Sequence, residues 1–400
     1  MVMTVKERIE RFEQLGFGMF IHFGLYSVIG KGEWYKFVYK DTVPASDYEA
    51  LTDKFDIKKG WAKELVSLAK ASGCKYITLT TRHHDGFSLY DTRGLSDYDA
   101  PHSKSGRDLI AEFADECHKQ GIIPFFYHTL LDWHHPEYNG DFEKYIDYLA
   151  ASIEILCKNY GEVGGFWFDG MWDKPDANWQ LSRIYGIIRT LQPNAMIIDN
   201  TGLGHLGEIG NDEIDSVTFE RGKPRLVNNS DRPRGGEMCE VLNDHWGHAK
   251  SDYSYKSMKE IINTLVDCRV CNCNLLLNIG LTGNGTVATM DKCMFRMLGA
   301  WIKDNKSFIY NVKRSDIAAE GAEILEDEKY IYAVIRDVPM QANLAVQRGS
   351  AGKTVKVDAP LRYGVWLDSG ESIRTKRGEF DVLPFSYGES RTVRIARFRK

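Results

Sequence analysis

The sequence predicts an α/β protein: a (β/α)8-like, somewhat irregular barrel followed by a small C-terminal β-sandwich. Three observations predict it. Short apolar runs alternate with helical-period segments from residue 17 to about residue 305. Beyond that point the texture changes to short alternating runs between Gly, Asp and Pro turns. The length, 400 residues, suits one barrel of about 250–300 residues plus a smaller module.

Taken in order, the apolar runs predict eight strands, over 18–23, 76–81, 122–127, 165–168, 195–199, 216–219, 238–242 and 275–279. Amphipathic stripes at spacings of three and four lie between several of them. One comprises Trp61, Leu65, Leu68 and Ala69, and the next Leu109, Ile110, Phe113 and Cys117. Later stripes are Ile146–Leu149–Ile153–Leu156, Leu181–Ile184–Ile188–Leu191 and Met290–Cys293–Met297–Trp301. Residues 201–229 carry no comparable stripe, so the barrel is expected to be irregular there. The boundary falls at 305–312, giving a catalytic barrel over 1–308 and a β-sandwich over 309–400.

Composition excludes several classes. With 43% hydrophobic and 27% charged residues the chain can bury a large core. A formal net charge of -5 argues against a nucleic-acid partner, which would demand clustered Lys and Arg. No apolar run is long enough for a membrane span, and MVMTVKERIERFEQLG turns charged and amphipathic at once, unlike a secretory leader. A cytoplasmic location is expected. Of the eight cysteines, Cys268, Cys271 and Cys273 cluster but lack a second pair at zinc-ribbon spacing, so they read as buried thiols and no cofactor or metal is expected.

In parallel barrels the active site forms where strands end, so polar residues at the ends of apolar runs carry the functional signal. Here they form a ring: His22, then His83 and His84, Tyr127 with Asp132 and Trp133 beyond, Asp169, Glu220 with Arg221, Glu237 and Glu240, and Asn278. Nearby aromatics, Trp34 and Trp167 above all, offer faces to the apolar side of a sugar. Histidines beside carboxylates also suit a metal-dependent barrel hydrolase. Adjacent residues on a strand point to opposite faces, however, so His83 and His84 can both face the barrel only if a bulge turns them.

The motifs GMFIHFG (18–24), GEWY (32–35), TTRHHDGF (80–87), FYHTLLDW (126–133), FWFDG (166–170), GEMC (236–239), DHWGH (244–248) and LLLNIG (275–280) occur in order. Together they resemble the retaining α-L-fucosidases of glycoside hydrolase family 29. The resemblance implies a barrel before a β-sandwich, and a fucosylated oligosaccharide or glycoconjugate as substrate. It makes Asp169 the nucleophile and His22, Glu33, Trp34, His83, His84, Tyr127 and Arg221 substrate-binding residues, Arg221 by approximate match, and Trp167 joins them on the aromatic reading above. Glu237 is the first choice of general acid/base, with Glu240 and Glu220 competing. The chain departs from the family pattern where Trp gives way to Gly236 and a glycine pair to Asn272 and Cys273. Two other readings are a metal-dependent hydrolase and an inactive fucose-binding homologue.

Overall fold

A computed structural model describes residues 2–227, 229, 231–341 and 352–400. Eight parallel strands close a barrel in chain order: β1 (Phe17–His22), β2 (Tyr76–Arg82), β3 (Ile123–Thr129), β4 (Gly165–Asp169), β5 (Met196–Asp199), β6 (Ser216–Thr218), β7 (Gly235–Val241) and β8 (Cys273–Gly280). β8 pairs with β1 from Phe17↔Leu275 to His22↔Gly280, which leaves no open edge. Every expected strand is present. The largest shift is in β7, which begins three residues before the predicted run.

Helices Trp61–Ala71, Leu109–Gln120, Phe142–Asn159 and Leu181–Leu191 carry the predicted stripes and, with Met258–Val270, which no stripe predicted, and Thr289–Ile309, cover the barrel's outer face; the last helix buries Met294, Phe295, Leu298 and Ile302 and leaves the predicted Met290, Cys293 and Met297 exposed. Among the described residues no helix follows β5 or β6, as the missing stripe over 201–229 implied. Helix α1 (Val5–Glu13) closes the lower end of the lumen. Thr4 and Glu7 cap it reciprocally, and Ile9 and Phe12 pack against Tyr76, Phe125 and Met196.

Alternation along the strands sorts side chains between lumen and helices. Phe20, Tyr127, Trp167, Ile198, Cys239 and Leu276 fill the lumen. Gly236 pairs with Cys273, and a Cβ on Gly236 would lie 2.5 Å from the Cys273 thiol. The two departures from the family pattern thus compensate each other: a small residue on β7 makes room for a larger one on β8.

Beyond the barrel lies the expected β-sandwich, a three-stranded and a six-stranded antiparallel sheet. The two faces of strand Tyr330–Arg336 do different jobs. Ile331, Ala333 and Ile335 enter the core between the sheets, while Tyr332 and Val334 join the larger core that runs on into the barrel. Arg391 pairs with Asp304 at 3.2 Å, and its carbonyl accepts from the Trp301 indole, tying the sandwich to the last barrel helix.

Candidate active site

The upper end of the lumen opens into a cavity of about 800 Å³. His22, Glu33, Trp34, His83, His84, Tyr127, Trp167, Asp169, Glu220 and Arg221 all line it, contributed by the ends of β1, β2, β3, β4 and β6 and the loops beyond. Glu237 and Glu240 do not.

Asp169 is the last residue of β4, and Gly170 turns the chain sharply after it with φ at +97°. A Cβ on Gly170 would come within 2.8 Å of the Leu131 backbone nitrogen, so only glycine permits the turn. The carboxylate sits among donors. Its Oδ1 accepts from Gly170 N (2.9 Å), Trp172 Nε1 (3.0 Å) and Asn200 Nδ2 (3.2 Å). Among the described residues Oδ2 accepts only from the Tyr127 hydroxyl at 3.0 Å, with His84 Nε2 3.5 Å away.

Glu220 stands two residues beyond β6. The Asn200 amide that donates to Asp169 also donates to Glu220 Oε2, at 2.8 Å. The Thr218 hydroxyl donates to Asn200 Oδ1 at 2.8 Å and fixes which way the amide faces. One nitrogen therefore bridges the two carboxyl groups, and the oxygens it touches can lie no further apart than those two bonds end to end, about 6 Å. Burial, with the charge of Asp169 adding to it, pushes the Glu220 carboxyl up to about 7.

Glu237, the first choice of acid/base, does not line the cavity. It is the third residue of a seven-residue strand and so points into the lumen below the cavity, level with Thr218 and Asn274. The Tyr76 hydroxyl donates to it at 2.5 Å and Trp167 Nε1 at 2.9 Å, and it is fully buried. Glu240, one residue out of phase with the lumen, faces outward and meets Lys256 at 3.3 Å. Burial raises the Glu237 carboxyl to about 7. Because its folded value lies above the ordinary 4.5, its contribution to stability is complete below that pH and is lost as pH rises through about 7. Glu237→Gln should therefore gain in Tm relative to the parent as thermal melts move from pH 5 to pH 8. A constant difference across that range would refute the assignment.

The histidines present lone pairs. Asn278 Nδ2 donates to the Trp246 carbonyl (2.8 Å), which turns Oδ1 toward His22 Nδ1 at 2.7 Å. His22 thus carries its proton on Nδ1 and keeps Nε2 as an acceptor, and burial lowers its pKa to about 3. Thr129 gives its proton to the Leu131 carbonyl and accepts from His84 Nδ1 at 2.7 Å, so His84 also keeps Nε2 unprotonated. Burial lowers both His83 and His84. A register shift between Thr80 and Arg82 supplies the bulge that lets the adjacent pair reach one cavity, their rings 4.2 Å apart. Glu33 Oε2 accepts from Gly247 N at 2.7 Å, and burial raises its carboxyl. Trp34 lies near-parallel to Trp172, with ring centroids 6.1 Å apart.

Asn200 is the residue that sequence reasoning missed. The predicted fifth strand stopped at Asp199, and no polar end was assigned to it. The signal was the alternation Met196, Ile198, Asn200, which puts the amide on the lumen side. Asp132 is buried and accepts from His134 N and His135 N, bracing the loop after β3 instead of lining the cavity, and Trp133 packs on Trp34. Among the described residues no group of three or more His, Cys, Asp or Glu is arranged to hold a metal ion.

A parallel barrel whose mouth holds two carboxyl groups joined by one amide nitrogen has the paired acids that a glycoside hydrolase needs. Comparison with known proteins narrows the class. Residues 3–307 match the alpha-L-fucosidase family, and the chain belongs to it. The solved structure of alpha-L-fucosidase isoenzyme 1 from Paenibacillus thiaminolyticus is 29% identical, with a TM-score of 0.86 over 99% of both chains. Tissue alpha-L-fucosidase of Homo sapiens is 27% identical over 93% of this chain and 84% of its own. An alpha-L-fucosidase of Branchiostoma floridae is 25% identical over 93% and 90%.

Proposed function

We propose that the protein removes terminal α-L-fucosyl residues from fucosylated glycans with net retention, Asp169 acting as nucleophile and Glu220 as general acid/base. The observation that carries this reading is the Asn200 amide joining the two carboxyl groups. Retaining enzymes hold their carboxyl groups about 5–5.5 Å apart, whereas inverting enzymes need about 6.5–9.5 Å to admit a water. Of the two Asp169 oxygens, Oδ1 already holds three donors, so Oδ2, with one, is the oxygen that attacks the anomeric carbon. Glu220 gives its proton to the departing glycosidic oxygen. As a carboxylate it then takes a proton from the water that opens the fucosyl-enzyme.

The unprotonated Nε2 atoms of His22 and His84 accept from sugar hydroxyls, and His83, Glu33, Trp34, Tyr127, Trp167 and Arg221 complete the walls. A sugar lacking a matched hydroxyl would leave these buried groups unpaired, which is the source of selectivity. Convergence of both carboxyl groups on one cavity favours catalysis over an inactive, merely sugar-binding role. We also propose a cytoplasmic location, supported by eight cysteines all present as free thiols, six of them buried.

The test is the anomer formed first from an aryl α-L-fucoside, followed by NMR with and without chelator. α-L-Fucose should appear first, at a rate the chelator does not change. First release of the β anomer would overturn double displacement, and a chelator-sensitive rate would point to a metal-dependent hydrolase.

A further inference from the structure

Glu237 has no part in the bond-breaking steps proposed for Asp169 and Glu220, yet it keeps a carboxyl group in a lumen packed with Phe20, Tyr76, Phe125, Ile198, Cys239 and Leu276. A hydrocarbon side chain would fill that space without the cost of burying a polar group. What the carboxyl adds is a pair of acceptors, and each meets a donor: Oε2 the Tyr76 hydroxyl and Oε1 the Trp167 indole N–H. An indole N–H can only donate, so without Oε1 it would be buried unpaired or would turn toward another acceptor.

The orientation of that indole bears on the nucleophile. Trp167 stands opposite Tyr127 across β4 and β3, and their rings lie near-parallel with centroids 5.5 Å apart. Phe20 meets the indole edge-on at 5.1 Å. The Tyr127 hydroxyl in turn donates to Oδ2 of Asp169, the oxygen that attacks. Contact therefore runs unbroken from the lumen carboxyl to the reacting atom, by a hydrogen bond, a ring face and a second hydrogen bond.

We propose that Glu237 is a positioning residue: it fixes the Trp167 indole from below and, through the Tyr127 ring packed on that indole, sets the aim of Asp169 Oδ2. This rests on the fucosidase reading and deepens it. Oδ1 is held by three donors, so a tilt of the indole that carries the phenol away acts on Oδ2 alone. A displacement of about 1 Å at a reacting atom costs on the order of 10²-fold in rate.

The experiment measures kcat/KM on two aryl fucosides, one with an activated and one with an unactivated phenol, for the parent, Glu237→Gln, Glu237→Met, Tyr127→Phe and the double variant Glu237→Met/Tyr127→Phe. Glu237→Met fills the space but strands the indole, and should lose about 10²-fold by the same factor on both phenols, because the nucleophile and not the proton is displaced. Glu237→Gln keeps an oxygen for the indole and should stay within about fivefold of the parent. In the Tyr127→Phe background Glu237→Met should cost no more than about threefold, since the hydroxyl it acts through is already gone. Equal cost with and without that hydroxyl, or a Gln variant as poor as Met, would overturn the role. So would a loss confined to the unactivated phenol, which would make Glu237 the proton donor. Should Glu237→Met not fold, Trp167→Phe, which removes the donor at the other end of the same hydrogen bond, replaces it in the cycle against the same limit. A parent that hydrolyses neither fucoside would instead overturn the fucosidase reading.

Discussion

Asp169→Gly is expected to lose activity on an aryl fucoside by at least about 10⁴-fold while its melting temperature stays close to that of the parent. The loss is large because the variant removes the carboxylate that would bond to the sugar. Glu220, the neighbouring acid, stands across the Asn200 bridge and Glu237 is sealed in the lumen. Stability should change little because Asp169 ends β4 at the cavity and two of its four donors, Gly170 N and Trp172 Nε1, belong to the loop beyond. Added azide supplies a replacement for the lost oxygen and attacks from the side Asp169 occupied, so the recovered product should be the β-fucosyl azide. Near-parent turnover would remove Asp169 from the chemistry.

Glu220→Gly should cost about 10²–10⁴-fold on a substrate whose leaving group needs a proton, and much less on one with an activated phenol. Azide here attacks the fucosyl-enzyme from the face that water would use, so the recovered product is the α-fucosyl azide. The two variants thus yield opposite anomers, which separates nucleophile from acid/base in one pair of reactions. The parent's pH profile follows from the raised carboxyl. Glu220 must be protonated for the first step, so kcat/KM falls tenfold per unit as pH climbs above about 7, and Glu220→Gln should abolish that limb. If Glu237→Gly shows the leaving-group dependence and azide rescue and Glu220→Gly does not, the roles revert to the first sequence assignment.

Much of this was legible in the amino-acid order. Alternating apolar runs and helical stripes give the barrel, the change after residue 305 gives the sandwich, and polar strand ends give the ring around Asp169. The level of a residue along its strand was not legible. Glu220 and Glu237 both follow or lie in short apolar stretches, and only the true start of β7 at Gly235 shows that Glu237 sits a layer below the cavity. The Asn200 bridge was hidden for a related reason: it needs the ends of β4, β5 and β6 side by side, a three-strand register that no single motif encodes.

The gap in the helical layer beside β5 and β6 separates two evolutionary tasks. Chemistry is anchored at Asp169, the last residue of β4, and at Asn200 and Glu220, which follow the ends of β5 and β6 within two residues. The segments after those two strands carry no covering helix among the described residues, so residues can be inserted there at only the slowly growing entropic cost of a longer surface excursion. Leu203 and His205, which line the cavity, belong to one of these segments. New glycan preferences can therefore arise in this chain by remodelling that flank alone, with the bond-breaking pair inherited unchanged.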